Sequence, residues 1–168
     1  MGRPLHGRGR MAFVIDETLE IDAPVGVVWE TITDLPRYGE WNPFVVACSS
    51  TLKVGDSIAM RVAIFSPFAQ PQREMILEHL PGQLLCYGLA RSSLGALASR
   101  RYHEVRAVGP MRTRYRSHFE LSGWLSPLVR SLLGARLARG FHSMSAAVGA
   151  RAEQLWAERS RSQPPRMV

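Results

Sequence analysis

The sequence predicts an α+β domain in which a curved antiparallel sheet of about seven strands wraps around one long C-terminal helix. Apolar and polar residues alternate in several segments before residue 122, which is typical of strands with one packed face. After residue 126 the apolar residues mostly recur every three or four positions, which is typical of a helix. Because the sheet and the helix each present one apolar face, we expect the two to cover each other.

A strand and two short helices are predicted at the start of the chain. Phe13 and Ile15 point to one face of the strand. Asp22 can accept hydrogen bonds from the start of the helix that follows, and Pro24 suits its first turn because a missing N–H costs nothing there. Pro36 ends this helical stretch, since the residue before a proline is pushed toward extended geometry.

Six further strands are predicted between this helical stretch and residue 122. Glycine, proline and aspartate mark the turns at 55–56, 81–82 and 109–110. Pro67 and Pro71 are assigned to a loop, and the small residues over 91–99 to another. The strands are assigned to residues 44–51, 57–65, 73–80, 84–90, 101–108 and 112–121.

The last strand shows the sharpest alternation. A sheet with one packed face and one solvated face gives this pattern. The packed face is predicted to carry Met111, Thr113, Tyr115, Ser117, Phe119 and Leu121. The other face, interpreted as a solvated outer surface, carries Arg112, Arg114, Arg116, His118 and Glu120.

A long helix is predicted from Ser126 to about Arg159. Ser126 is a suitable cap and Pro127 a suitable first residue. Glycines at positions 134, 140 and 149 weaken the helix by ~1 kcal/mol each relative to alanine. They could allow close approach of the sheet or leave room for a ligand. The stripe expected to face the sheet consists of Leu128, Leu132, Leu137, Phe141, Met144, Val148, Ala152 and Leu155.

Length and composition fit a single globular domain. The chain has 168 residues, of which 46% are hydrophobic and 21% charged, and this is ordinary for a globular protein. We assign the domain to residues 11–158 and expect residues 1–10 and 159–168 to be disordered. Met1 and Met11 are alternative translation starts. No apolar run approaches the ~20 residues that span a bilayer, and no secretory signal is recognisable, so a cytoplasmic location is expected.

The net charge of +7 does not by itself predict nucleic-acid binding. Lys53 is the only lysine, and such dominance of arginine indicates coding bias in a GC-rich genome more than selection for phosphate contacts. We therefore expect no nucleic-acid partner. Contact with an acidic membrane through the charged ends stays possible, and the chain could be a monomer or a homodimer. Cys48 and Cys86 lack metal-ligand spacing and are expected to be buried free thiols.

Known catalytic and phosphate-binding motifs are missing from the sequence. The five histidines form no paired metal-binding pattern, so neither a metal nor another cofactor is predicted. His103 is the catalytic candidate, because its strand parity directs it inward and its pKa can be adjusted across neutrality. Tyr115 on the neighbouring strand could pair with it. The alternative, which we favour, is a hydrogen-bonded wall histidine.

The segment from Ile21 to Val45 carries the resemblance to a known family. A strand end, the helix with Val27, Val28 and Ile32, and the turn Trp41-Asn42-Pro43-Phe44 follow each other there. This arrangement resembles the START-like superfamily, also called SRPBCC or polyketide cyclase/dehydrase-like, over about residues 13–156. The resemblance implies a helix-grip fold with a cavity between sheet and helix, open near the helical pair and loops.

This cavity would hold a hydrophobic small molecule. Trp41 could be a lid and Asn42 a hydrogen-bonding group for that molecule, or they could plug the core and cap the turn. The other expected lining residues would suit either an apolar pocket or a solid core. The candidate ligand-binding residues are Trp41, Asn42, Phe44, Met60, Tyr87, His103, Tyr115, Phe119, Phe141 and Met144.

Three functions are compatible with this sequence. The first is an intracellular carrier or sensor of a lipid, polyketide or isoprenoid type of molecule. The second is an enzyme of the polyketide cyclase or aromatase kind, in which a few polar groups in the cavity promote enolisation. The third is a regulatory interaction module that uses the arginine-rich outer face.

Overall fold

A computed structural model describes residues 12–65, 67–89 and 94–162. The predictions for residues 1–10, for Met11 and for the tail after residue 162 lie outside these ranges. In chain order the elements are β1 (Phe13–Ile21), α1 (Val25–Thr33), a 3-10 turn (Leu35–Arg37), α2 (Tyr38–Trp41), β2 (Val45–Ser49), β3 (Ser57–Phe65), β4 (Phe68–Leu80), β5 (Leu84–Gly88), β6 (Ala98–Gly109), β7 (Arg112–Ser122) and α3 (Ser126–Ser162).

The seven strands form one antiparallel sheet in the order β1-β7-β6-β5-β4-β3-β2. Register shifts interrupt four of the strand pairs, and such bulges bend a sheet. The curved sheet packs its inner face on α3, which contacts β1, β3, β7 and α1. The predicted α+β helix-grip architecture is confirmed. In the part of the chain that the structure describes, no helix is long and apolar enough to cross a membrane.

Pro71 lies inside a strand, which corrects its assignment to a loop. β4 begins at Phe68, and Pro71 pairs with Arg61 of β3. On its other side β4 pairs with β5 only from Met75 onward. The proline therefore lies where that edge of β4 has no partner from β5, and there a missing N–H disrupts no ladder.

The first two turns of α3 present a different face from the predicted one. Leu128 and Leu132 are exposed, whereas Val129 and Leu133 pack against the core. The predicted stripe contained a five-residue step from Leu132 to the next apolar residue. Steps of four taken backward from that residue give 133 and 129, which is the spacing that a helix requires. From Leu137 to Ala152 the predicted stripe is buried.

The outer face of β7 is exposed at its start, half-buried further along, and forms ion pairs. Arg116 Nη2 lies 2.6 Å from Asp16 Oδ2 on β1, and Arg114 Nη2 lies 3.1 Å from Glu20 Oε1. The hydrogen bonds from Arg116 lower the pKa of Asp16. Met111, however, precedes this strand and is half exposed, so it does not belong to the packed face. The ion pairs of Arg114 and Arg116 join β7 to β1 on the solvent side of the sheet.

The start of α1 also differs from the prediction. Pro24 occupies the N-cap position, and no side chain caps the helix. Asp22 instead lies before the helix, where its N–H donates to Glu153 Oε1 at 3.0 Å. This bond joins the end of β1 to α3.

Candidate functional site

A cavity of about 300 Å³ lies between the sheet and the first half of α3. Most of its lining is apolar. The apolar residues are Phe44, Val45, Met60, Val62, Ile64, Leu89, Leu97, Phe119, Leu121, Val129, Leu133, Leu137 and Phe141. The polar residues are Gln72, Glu74, Tyr87, Ser99 and Arg101. A mainly apolar wall with a few polar groups is typical of small-molecule sites.

Part of the cavity lining is accessible to solvent. The half-buried lining residues are Ile64, Gln72, Glu74, Leu97, Val129 and Leu133, and Leu89 is exposed. Phe44 and Val45, which line the cavity, follow the turn after α2, so the cavity lies close to the end of the second short helix. That the cavity opens near the helical pair and loops stays a prediction.

Half of the candidate ligand-binding residues line this cavity. They are Phe44, Met60, Tyr87, Phe119 and Phe141. Outside the lining lie Trp41, Asn42, His103, Tyr115 and Met144. The second group makes its contacts elsewhere in the fold.

Trp41 and Asn42 belong to the turn after α2. The Trp41 ring packs edge-on against Tyr38, with 4.9 Å between ring centroids. Asn42 Oδ1 accepts hydrogen bonds from the backbone N–H of Phe44 at 3.0 Å and of Val45 at 2.9 Å. Asn42 therefore caps the turn, and in doing so it fixes where Phe44 enters the cavity.

Three aromatic rings and one glycine form the base of the cavity. Phe141 contacts Phe44 and Phe119, with ring centroids 5.0 Å and 4.7 Å apart. Gly140 lies against the Phe44 ring, where an added Cβ would come within 2.2 Å of a ring carbon. The glycine therefore allows the helix to approach Phe44, which is one of the two reasons for helical glycines considered from the sequence.

His103 lies beneath the cavity in a fully buried hydrogen-bond network. Its Nε2 lies 3.2 Å from the Tyr87 hydroxyl and its Nδ1 lies 2.8 Å from the Tyr115 hydroxyl. Burial, with a contribution from the charge of Arg101, lowers the pKa of His103 well below its usual range. A neutral imidazole has one donor and one acceptor, so one phenol donates to it and the other accepts. Both ring nitrogens of His103 therefore have a hydrogen-bond partner within the protein.

Arg101 is the largest polar side chain in the cavity wall. Only 2% of it is exposed. Its Nη2 lies 3.9 Å from Met144 Sδ, and its Cζ lies 4.3 Å from the centre of the Phe141 ring. Nε and Nη1 are buried and have no hydrogen-bond partner among residues 12–65, 67–89 and 94–162.

Glu74 lies in the same wall and titrates near neutrality. Ser99 Oγ donates to Glu74 Oε1 at 3.4 Å and accepts from the Leu89 N–H at 3.0 Å. Burial raises the pKa of Glu74 to about 7, with the Ser99 bond and the Arg101 charge opposing the rise. The cavity thus combines a permanent positive charge with a carboxyl group that is partly protonated near neutral pH.

A family model described as "Polyketide cyclase / dehydrase and lipid transport" matches residues 12–149. The chain belongs to this family. No curated protein sequence matches it significantly. In the described part of this polyketide cyclase/dehydrase-type domain, no group of three or more histidine, cysteine, aspartate or glutamate side chains is placed to hold a metal ion.

Solved structures of other proteins share the fold. An aromatase/cyclase (Zhui) from Streptomyces superposes with a TM-score of 0.66 at 14% identity, over 90% of this chain and 98% of its own. A START superfamily protein from Mycobacterium smegmatis gives 0.64 at 17% identity, over 84% and 98%. Norcoclaurine synthase from Thalictrum flavum, solved with dopamine and hydroxybenzaldehyde, gives 0.64 at 16% identity, over 94% and 97%. At these identities the likeness concerns the fold alone.

Arg101 and Glu74 are the two charged side chains of the cavity lining, and neither was among the site residues predicted from the sequence. Arg101 has the strand parity of His103 and Val105, so its inward direction followed from the same alternation. On β4, Glu74 likewise has the parity of the buried Ile76. A charged residue at an inward position was the available signal in both strands.

Proposed function

We propose that this member of the polyketide cyclase/dehydrase and lipid transport family binds a hydrophobic small molecule between its sheet and α3, as a carrier or sensor. The observation that supports this proposal is the cavity of about 300 Å³ with mainly apolar walls. This volume is at the lower end of the range for small-molecule sites. Removing the apolar surface of a ligand from water would supply the main driving force, at about 25 cal/mol per Å².

A cavity-filling variant tests this proposal. Leu133 lines the cavity, whereas its neighbour Leu132 is 69% exposed. Leu133→Trp should occupy the space that a ligand needs, while Leu132→Trp adds the same ring on the solvent side. We expect lipids such as fatty acids or alcohols to raise the melting temperature of the wild type and of Leu132→Trp, but not of Leu133→Trp.

Native mass spectrometry after mild purification provides an independent measurement. A copurifying apolar compound should be present on the wild type and on Leu132→Trp and reduced on Leu133→Trp. If a broad panel of lipids changes neither the melting temperature nor the mass spectrum of the wild type, the proposal is wrong.

The second candidate function is catalysis of the polyketide cyclase type. Glu74 favours it, since a wall carboxyl whose pKa is raised to about 7 has the proton affinity of an effective general base. Its carboxylate would remove a proton from a carbon between two carbonyl groups, and the electron pair would move to the carbonyl oxygen. Arg101 would stabilise that enolate by donating hydrogen bonds to it.

Hydrogen–deuterium exchange of a diketone tests this second function. 2,4-Nonanedione in deuterated buffer should exchange faster with the wild-type protein than in buffer alone, as followed by NMR. The acceleration should disappear in Glu74→Gln and persist in Glu78→Gln, which changes an exposed glutamate of the same strand. Equal exchange with the wild type and with Glu74→Gln would remove this candidate.

A further inference from the structure

The guanidinium of Arg101 is a buried cation that the described residues do not neutralise. Two of its three nitrogens, Nε and Nη1, have no partner, and the third has only a long contact to the Met144 sulfur. Arginine stays protonated in proteins. A buried charge without a partner is costly, so an ion of this kind is normally paired.

The neighbours of Arg101 stabilise it only in part. The face of the Phe141 ring attracts the cation, but such a contact leaves the N–H groups unused. Glu74 is the only carboxylate among the described lining residues, and it is hydrogen-bonded to Ser99. No ion pair joins it to Arg101 in the described residues, and its pKa is raised to about 7, so it is not a permanent counter-ion.

We propose that the molecule bound in this cavity carries a carboxylate, and that this carboxylate pairs with Arg101. The inference rests on the proposed function, because it names the chemical class of the ligand for the same cavity. The planar guanidinium can donate two parallel hydrogen bonds to the two carboxylate oxygens. The apolar part of the ligand would then lie between the β3 side of the sheet and the first turns of α3.

The charge of the cavity selects a carboxylate over a phosphate. Arg101 supplies one positive charge, and it is the only cation among the described lining residues. A phosphate group carries up to two negative charges and needs more donors than one guanidinium with nearby hydroxyls. Glu74 would also repel the second charge whenever it is ionised. A single carboxylate beside a protonated Glu74 leaves the cavity neutral.

Three probes of eight carbon atoms each test this inference. Octanoate, 1-octanol and octylamine have as head groups an anion, a neutral hydroxyl and a cation. Their affinities for the wild-type protein can be compared by isothermal titration at about pH 6, where a carboxylic acid in water is ionised and Glu74 is mostly protonated. Octanoate should bind about tenfold or more tighter than octanol, since a charge-assisted pair is stronger than a neutral one, and octylamine should bind most weakly.

Variants of β6 show whether Arg101 causes the preference. Arg101→Met replaces the charged side chain with an apolar one of similar length. The ratio of the octanoate affinity to the octanol affinity should therefore fall to about one. Arg101→Lys keeps the charge and should retain part of the preference. Arg100→Met changes the exposed arginine next to it and should leave the ratio as in the wild type.

The outcomes separate the two proposals. If octanoate and octanol bind the wild type equally, or if Arg101→Met keeps the preference, the carboxylate inference is wrong and the apolar cavity proposal stands. If none of the three probes binds and the lipid panel also has no effect, both proposals are wrong. Circular dichroism of each variant shows whether it is folded before its affinity is interpreted.

Discussion

Arg101 and His103 lie two positions apart on the same face of β6, and both are buried. They differ in how completely their nitrogens are hydrogen-bonded. Both ring nitrogens of His103 contact a tyrosine hydroxyl. Arg101 has two nitrogens without a partner and lies in a cavity wall. Buried polar groups are normally satisfied by the protein itself. The difference therefore separates a polar network that stabilises the fold from a polar group that suits a ligand.

The two residues are also electrostatically linked. The charge of Arg101 contributes to the low pKa of His103, because two positive charges so close together are unfavourable. His103 thus stays neutral beside a permanent cation. If a carboxylate bound to Arg101, it would partly cancel this effect without changing the hydrogen bonds of His103.

The largest effect should come from breaking the His103 network. His103→Ala leaves a cavity and removes a partner from both Tyr87 and Tyr115. Deleting a buried ring and stranding polar groups should lower the free energy of unfolding by about 3–4 kcal/mol. Urea denaturation measures this loss. His142→Ala, a change at an exposed position of α3, should alter stability by less than about 0.5 kcal/mol. A loss below about 1 kcal/mol in His103→Ala would show that the network does not stabilise the fold.

Glu74 should make stability depend on pH. In the folded state its pKa is about 7, against a usual value of 4.5, so folding favours the protonated form. The unfolded chain releases the proton first as pH rises, and stability is therefore lost between about pH 4.5 and pH 7. The total should be about 2–3 kcal/mol. Below this range the penalty is absent.

Glu74→Gln should remove this dependence, because the amide does not titrate. The variant should be about 2–3 kcal/mol more stable than the wild type above pH 7 and equally stable near pH 4. Urea denaturation across that range measures the difference, and Glu78→Gln on the same strand is the control. His103 acts in the opposite sense, since its lowered pKa costs stability as pH falls below 6.5. Parallel curves for Glu74→Gln and the wild type would contradict the raised pKa.

Tyr115→Phe should have an intermediate effect. It removes one hydroxyl from the network and leaves His103 Nδ1 without that partner. The loss should be about 1–2 kcal/mol, because a buried group becomes unsatisfied while the packing of the ring is kept. Tyr102→Phe, on the outer side of β6, is the matched control and should cost less. Equal losses in the two variants would show that burial of the hydrogen bond is unimportant.

Much of this network could be predicted from alternation along strands. The parity of β7 placed Tyr115 on the packed face, and the parity of β6 placed His103 on the same face, where it pairs with Ser117, two positions from Tyr115. Strand pairing then brought the two rings within hydrogen-bond distance. A period of two is set by the backbone, so it needs no knowledge of side-chain packing. The packing of a curved sheet on one long helix was predictable for the same reason, since apolar faces must be covered, and the family resemblance implied the helix-grip fold.

Features that depend on three-dimensional packing could not be predicted. The stripe of α3 was wrong at Leu128 and Leu132, because several leucines occur near each other and only the rotation of the helix decides which are buried. The strand parity of β6 directs Arg101 inward, but its lack of a partner depends on the position of Glu74 on β4 and on the hydrogen bond between Glu74 and Ser99. No sequence pattern indicates that a buried side chain such as that of Arg101 lacks a hydrogen-bond partner.

The smallest effect should come from Arg101→Met. This variant tests the contrast between Arg101 and His103 most directly. The substitution loses the contact with the Phe141 ring, worth about 0.5–2 kcal/mol, but also removes the cost of burying an unpaired charge. The two contributions oppose each other, so urea denaturation without ligand should show a change of less than about 1 kcal/mol in either direction. A loss as large as that of His103→Ala would mean that Arg101 stabilises the fold, and the contrast between the two residues would disappear. A neutral or stabilising effect is what a site shaped for a ligand requires, because such a site keeps a charged group that the empty fold does not need.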